Sequence, residues 1–131
     1  MIGILIISHG NLGDSLIHCV NHVMGQKSEQ LAQLSITIQD DPDIVVSKAL
    51  ELVKQLDLGD GVLVLSDICG ATPCNIASRL VRPGNVECLA GVNLPMLVRA
   101  LTYRSEPLSA VAEKALSGGR EGVMRIDTGQ T

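Results

Sequence analysis

The sequence predicts an α/β fold, a doubly wound and mainly parallel β-sheet with helices on both faces. Two patterns and one composition carry that prediction. Short aliphatic runs alternate along the chain with longer amphipathic stretches, the signature of βαβ units. The aliphatic runs are apolar at both alternating positions, as strands covered on both sides must be. Hydrophobic residues make up 46% of the 131 residues and charged ones 18%, which suits one buried core and excludes a disordered chain.

The first strand is expected over residues 2–8, Ile-Gly-Ile-Leu-Ile-Ile-Ser, and a helix over 14–24 with Leu16, Val20, Val23 and Met24 on one face. Residues 31–38 read as the second strand. Asp40-Asp41-Pro42 then opens a helix, with proline in the first turn and carboxylates at the positive end of the dipole. Its stripe is Val45, Ala49, Leu52, Val53 and Leu56. Gly59-Asp60-Gly61 ends it before a third strand over 62–66. A short helix over 73–81 follows, closed by Pro83-Gly84-Asn85, then a fourth strand over 86–90. Leu94, Leu97, Val98 and Leu101 mark a helix over 94–104, and Leu108, Val111, Ala112, Ala115 and Leu116 another over 107–117. Gly118-Gly119 is expected to stop that helix, leaving residues 122–126 as a last short strand. The whole of 1–131 reads as one domain.

Aromatics account for 1% of the chain, Tyr103 alone, so the core must be aliphatic and no stacking platform for single-stranded nucleic acid exists. A net charge of −4 has the wrong sign for binding a phosphate backbone, so no nucleic-acid partner is expected. No apolar run approaches the roughly 20 residues of a membrane span. The first basic residue is Lys27, so no charged leader precedes the opening strand. Cys19, Cys69, Cys74 and Cys88 lack zinc spacing and read as reduced thiols of a cytoplasmic protein. His18 and His22 stand four apart on the first helix, but without a third ligand they read as a solvated face. Neither a metal nor a cofactor is expected.

In open parallel sheets, ligands bind beyond the carboxyl ends of the strands where strand order reverses. Strand one ends in Ser8-His9-Gly10-Asn11, strand three in a loop from Ser66 to Asn75, and strand four in Gly91-Val92-Asn93-Leu94-Pro95. His9, directly after an aliphatic strand, must sit at the rim of the sheet. Asp67 is the only acid at the end of strand three and so is its expected partner; a carboxylate on one ring nitrogen fixes the tautomer and stabilises developing positive charge. Gly70, Ala71 and Thr72, leading into a helix, supply backbone N–H groups and a hydroxyl for an anion. Imidazole, acid and anion cradle together describe a histidine that accepts a phosphoryl group. Taken singly, each has a plainer reading: a structural histidine, a loop-capping aspartate, a turn with an N-cap threonine.

Ile4-Leu5-Ile6-Ile7-Ser8-His9-Gly10, residues 62–75, Ala90-Gly91-Val92-Asn93-Leu94-Pro95-Met96-Leu97 and Gly119-Arg120-Glu121-Gly122-Val123 resemble the IIA component of the mannose family of the bacterial phosphoenolpyruvate-dependent sugar phosphotransferase system. The resemblance runs in order over essentially the whole chain, and Gly-Val-Asn-Leu-Pro-Met-Leu is its most specific stretch. It implies a phosphotransferase component in which His9 takes phosphate from the phosphocarrier protein HPr and passes it to a IIB component, with Asp67 bonded to that histidine and Thr72 retaining a hydroxyl before Pro73. Ala71 departs from a common Gly or Ser, and Ile68 from a hydroxyl residue. The resemblance further implies a homodimer in which the strand at 122–126 is exchanged onto the partner's sheet, and a membrane met only through a permease complex. Only Asp127 to Thr131 follow that strand, so no linker to a IIB domain is expected. Leu12 and Met96 are expected among the protein-docking contacts.

The alternatives are a regulatory phosphorelay, a receiver-like module phosphorylated on Asp67, and a small chelatase or phosphatase using His9. A receiver needs an acidic pair after strand one, where His9 stands, and a histidine phosphatase an arginine where Ser8 stands. The IIA-like subunit of dihydroxyacetone kinase shares the chemistry but lacks the Asn93-Leu94-Pro95-Met96 pattern.

Overall fold

In the computed structural model, residues 1–68 and 71–129 are described. The elements run β1 (Gly3–His9), α1 (Leu12–Met24), β2 (Leu31–Ile36), α2 (Pro42–Leu56), β3 (Val62–Ser66), α3 (Thr72–Ser78), β4 (Val86–Ala90), α4 (Leu94–Thr102) and α5 (Leu108–Glu121). All strand pairs are parallel, in the order β2-β1-β3-β4. Both strand termini expected for β3 and β4 coincide with those observed.

Each sheet face has its own apolar layer. Ile4 and Ile6 of β1 and Leu63 and Leu65 of β3 pack with Leu16 and Val20 of α1, Leu97 of α4 and Val111 of α5. The alternate residues Leu5, Ile7, Val62 and Val64 pack with Val45, Ala49 and Val53 of α2, Ile76 of α3 and Leu80 in the turn that follows α3. The six residues from Gly3 to Ser8 are all buried because helices cover both faces. Side chains of this kind contribute about 1.5–3 kcal/mol each when fully buried.

Local chemistry sets the helix ends. Asp41 caps α2 by accepting from the Asp43 N–H at 2.9 Å, with Pro42 in the first turn. Gly25 ends α1 at φ +76°, the left-handed conformation that glycine adopts without a Cβ penalty. At the amino end of the sheet, buried Arg104 donates to the carbonyls of Ile2 (2.8 and 3.2 Å), Glu29 (2.6 Å) and Gln30 (3.1 Å). The Met1 ammonium pairs with Asp60 at the same end.

The chain departs from expectation after residue 117. Gly118 and Gly119 do not stop α5; they lie buried within it, where it crosses α4. A Cβ on Gly118 would lie 2.7 Å from Arg99 Cβ, and one on Gly119 2.8 Å from Met96 Cε. Close helix approach, not helix termination, is what these glycines permit. Residues 122–126 form no strand within the chain, and Val123, Met124 and Ile126 are exposed. Strand β4 stands at the edge of the sheet.

Candidate functional site

Strand order reverses between β1, which pairs with β2, and β3, which leads to β4. His9 closes β1 and Asp67 follows β3 directly, so the topology places both at that reversal. Register makes the meeting close. Ile7 pairs with Ser66, so each chain emerges from the sheet at nearly the same level.

His9 Nδ1 lies 2.7 Å from Asp67 Oδ2, and the same oxygen accepts the His9 backbone N–H at 2.9 Å. Asp67 Oδ1 accepts the Ile68 N–H at 2.8 Å. The side chains differ sharply in access: His9 is 55% exposed and Asp67 11%. Burial pushes the Asp67 carboxyl upward, but the hydrogen bonds from the His9 backbone and ring and from Ile68 N–H outweigh it and hold the group below its ordinary 3.8. Asp67 is therefore an ionised, fully engaged acceptor. It fixes the hydrogen on Nδ1 and leaves Nε2 as the nitrogen with the free lone pair.

A cavity of about 330 Å³ opens beside the ring, lined by His9, Ile36, Thr37, Ile38, Ala71, Thr72 and Asn75. Ala71 and Thr72 thus stand in the same recess as His9, whereas Gly70, the third expected anion contact, lies outside the described residues. Helix α3 begins at Thr72 with Ala71 as its N-cap residue and no side-chain cap, so the threonine hydroxyl is not spent on capping. Asn75 was not marked by the sequence reading. It stands three residues after Thr72, which puts both on one helical face.

The loop after β4 plays a different part from the one its position suggested. Gly91 N–H donates to the Asp67 carbonyl and Val92 N–H to that of Ser66 at 2.9 Å, bracing the turn that carries the acid. Asn93 caps α4 by accepting from Met96 N–H at 2.9 Å and donates to the Gly119 carbonyl at 3.1 Å, locking α4 to α5. Met96 is 3% exposed beneath Gly119, so it is a core residue and not a docking contact; Leu12, at 43%, is exposed. His18 and His22 are exposed on α1, and no group of three or more potential metal ligands occurs among the described residues. A wider recess of about 650 Å³ between α1, α4 and α5 holds Arg99 and Glu121, paired at 3.3 Å, and its lining includes neither His9 nor Asp67.

The EIIA-man family, described as the PTS (phosphotransferase system) fructose IIA component, matches residues 3–116. The mannose-specific EIIAB component of Escherichia coli K12 is 33% identical over 128 residues, covering 95% of this chain but 39% of that protein. The fructose-specific EIIA component of Bacillus subtilis is 28% identical over 105 residues, covering 79% of this chain and 71% of that one. A crystal structure of an EIIA component from Streptococcus agalactiae superposes with a TM-score of 0.84 at 26% identity, covering 95% and 97% of the two chains. The mannose/sorbose-specific IIA subunit from Enterococcus faecalis shares the fold, with a TM-score of 0.86 at 24% identity over 99% and 98%. With its parallel sheet and its match along residues 3–116, the chain belongs to the EIIA-man family of phosphotransferase-system IIA components.

Proposed function

We propose that His9 is the phosphoryl acceptor of this IIA component, receiving the group from phospho-HPr and passing it to a IIB component. The observation that carries the reading is the 2.7 Å contact between Nδ1 and the buried Asp67 carboxylate, with the ring itself open to a partner. In the forward step, Nε2 attacks phosphorus, the N–P bond of the donor histidine breaks, and the donor imidazole leaves with its electron pair. The ring of His9 becomes cationic as the new N–P bond forms, and Asp67 offsets that charge through Nδ1–H. The reverse geometry serves transfer onward. Ala71 and Thr72 are the described contacts for the phosphoryl oxygens, with Gly70 as the third.

The receiver reading is less well supported. Both oxygens of Asp67 already accept hydrogen bonds, and the side chain is 11% exposed, so the carboxylate is poorly placed to attack phosphorus. Incubation with phosphoenolpyruvate, enzyme I and HPr tests the choice. His9→Ala is expected to abolish uptake of label, and mass spectrometry to place phosphate on His9 of the unaltered chain. Label that survives in the variant, or that hydroxylamine removes, overturns the reading.

The same proposal includes a cytoplasmic homodimer in which residues 122–126 of each protomer extend the partner's sheet. An edge strand at β4 and an exposed Val-Met-Arg-Ile segment support it. No helix is long and apolar enough to cross a membrane among the described residues, and residues 1–131 remain proposed as a single domain.

A further inference from the structure

We propose that Asn75 is a phosphoryl contact of this site, its side-chain NH₂ donating to an oxygen of the group carried on His9 Nε2. The inference rests on the phosphohistidine reading above and adds a residue to it.

Asn75 lines the recess that holds His9, together with Thr72 one turn earlier on the same face of α3. The opposite face of the helix, Pro73, Ile76 and Ala77, is buried against the sheet, so the position of Asn75 is fixed by packing. Its backbone is fully used: the N–H donates to the Ala71 carbonyl at 3.0 Å and the carbonyl accepts from Ser78 Oγ at 2.7 Å. Its carboxamide makes no hydrogen bond to any described residue. A spare double donor thus faces the space next to the nucleophile.

The charge balance of the recess gives that donor a task. A phosphoryl group brings about −1.5 to −2 charges at neutral pH. Among the described residues lining the recess no lysine or arginine occurs; the side-chain donors are the hydroxyls of Thr37 and Thr72 and the amide of Asn75. Arg79, the C-cap residue of α3, is turned to Asp43 at 3.3 Å. Stabilisation of the dianion therefore falls to neutral donors. An amide also suits a carrier, since it does not hold the group by full charge and is not basic enough to activate water against the N–P bond.

Two donors separate this contact from docking: phospho-HPr, and phosphoramidate, whose P–N bond breaks with loss of ammonia as the bond to Nε2 forms. Asn75→Ala is expected to slow labelling of His9 by about tenfold with both donors, the loss expected for one hydrogen bond to a charged group. Asn75→Asp, of the same shape, is expected to slow it further by setting a carboxylate against the dianion, and it preserves the test should the alanine variant lose α3 in a thermal melt. Rates within about twofold of the unaltered chain with phosphoramidate overturn the inference, as does a loss confined to phospho-HPr, which would place the residue at the docking surface. Absence of label on His9 of the unaltered chain overturns the parent reading and this one together.

Discussion

Asp67 is the residue on which the chemistry of the site turns, and its environment makes two measurable statements. Replacement by Asn keeps the shape but removes the negative charge that faces a cationic ring, so Asp67→Asn is expected to fold and to take up phosphate at least about tenfold more slowly. Labelling rates from phospho-HPr check this. The carboxyl is held below its ordinary 3.8 in the native state, so the unfolded chain binds more protons in that range. Its contribution to stability is complete above 3.8 and is lost as the pH falls through the lowered native value. Urea midpoints are expected to fall more steeply with acid in the unaltered chain than in Asp67→Asn. The pairing with His9 was legible from sequence because two strand ends and one available acid left little choice. Asn75 was not legible, since an exposed asparagine in a short helix carries no pattern until the recess around it is seen. Ser8 and Ser66 were equally silent: each precedes a site residue, is buried, and has an Oγ without a hydrogen-bond partner among the described residues.

Among the elements, strands were read more accurately than helix ends. Val62–Ser66, buried throughout, and Val86–Ala90, buried at Val86 and half-buried beyond it, are bounded by turn residues, and their limits follow from the apolar run itself. Helix α5 shows the opposite case. A Gly-Gly pair has the lowest helical preference short of proline and reads as a stop, yet tertiary packing overrides propensity because α4 passes too close for any side chain. In Gly118→Ala, helix propensity favours alanine by about 1 kcal/mol, but the added Cβ meets Arg99 Cβ at 2.7 Å, a contact that no flexible chain end can relieve. A net destabilisation of about 1–2 kcal/mol is expected, the cost of overpacking less that gain. A thermal melt checks it; a higher melting temperature would mean that α4 moves aside freely.

The parallel sheet between two helical layers was the most legible feature of all, because alternation of strand and helix leaves few ways to cover both faces. The fate of residues 122–126 was not legible as local structure. Their apolar pattern is real, but it finds no strand partner among the described residues, and a strand needs a neighbour before it is one. Truncation after Glu121 is expected to leave the four-stranded fold intact, with an unchanged circular-dichroism melt to within a few degrees, and to convert a dimer to a monomer. Light scattering on both lengths of chain decides it: equal masses would remove the exchanged strand from the proposal.

The near absence of rings has a spectroscopic consequence. Tyr103 is the sole intrinsic fluorophore, and the Lys114 ammonium stands 4.2 Å from its ring centre, between the end of α4 and the middle of α5. Because α4 starts at the carboxyl end of β4, its far end brings Tyr103 to the rim of the sheet opposite His9. Ultraviolet emission from the unlabelled protein therefore reports the α4–α5 seam alone, a built-in optical gauge of folding that phosphate arriving at the other rim leaves undisturbed.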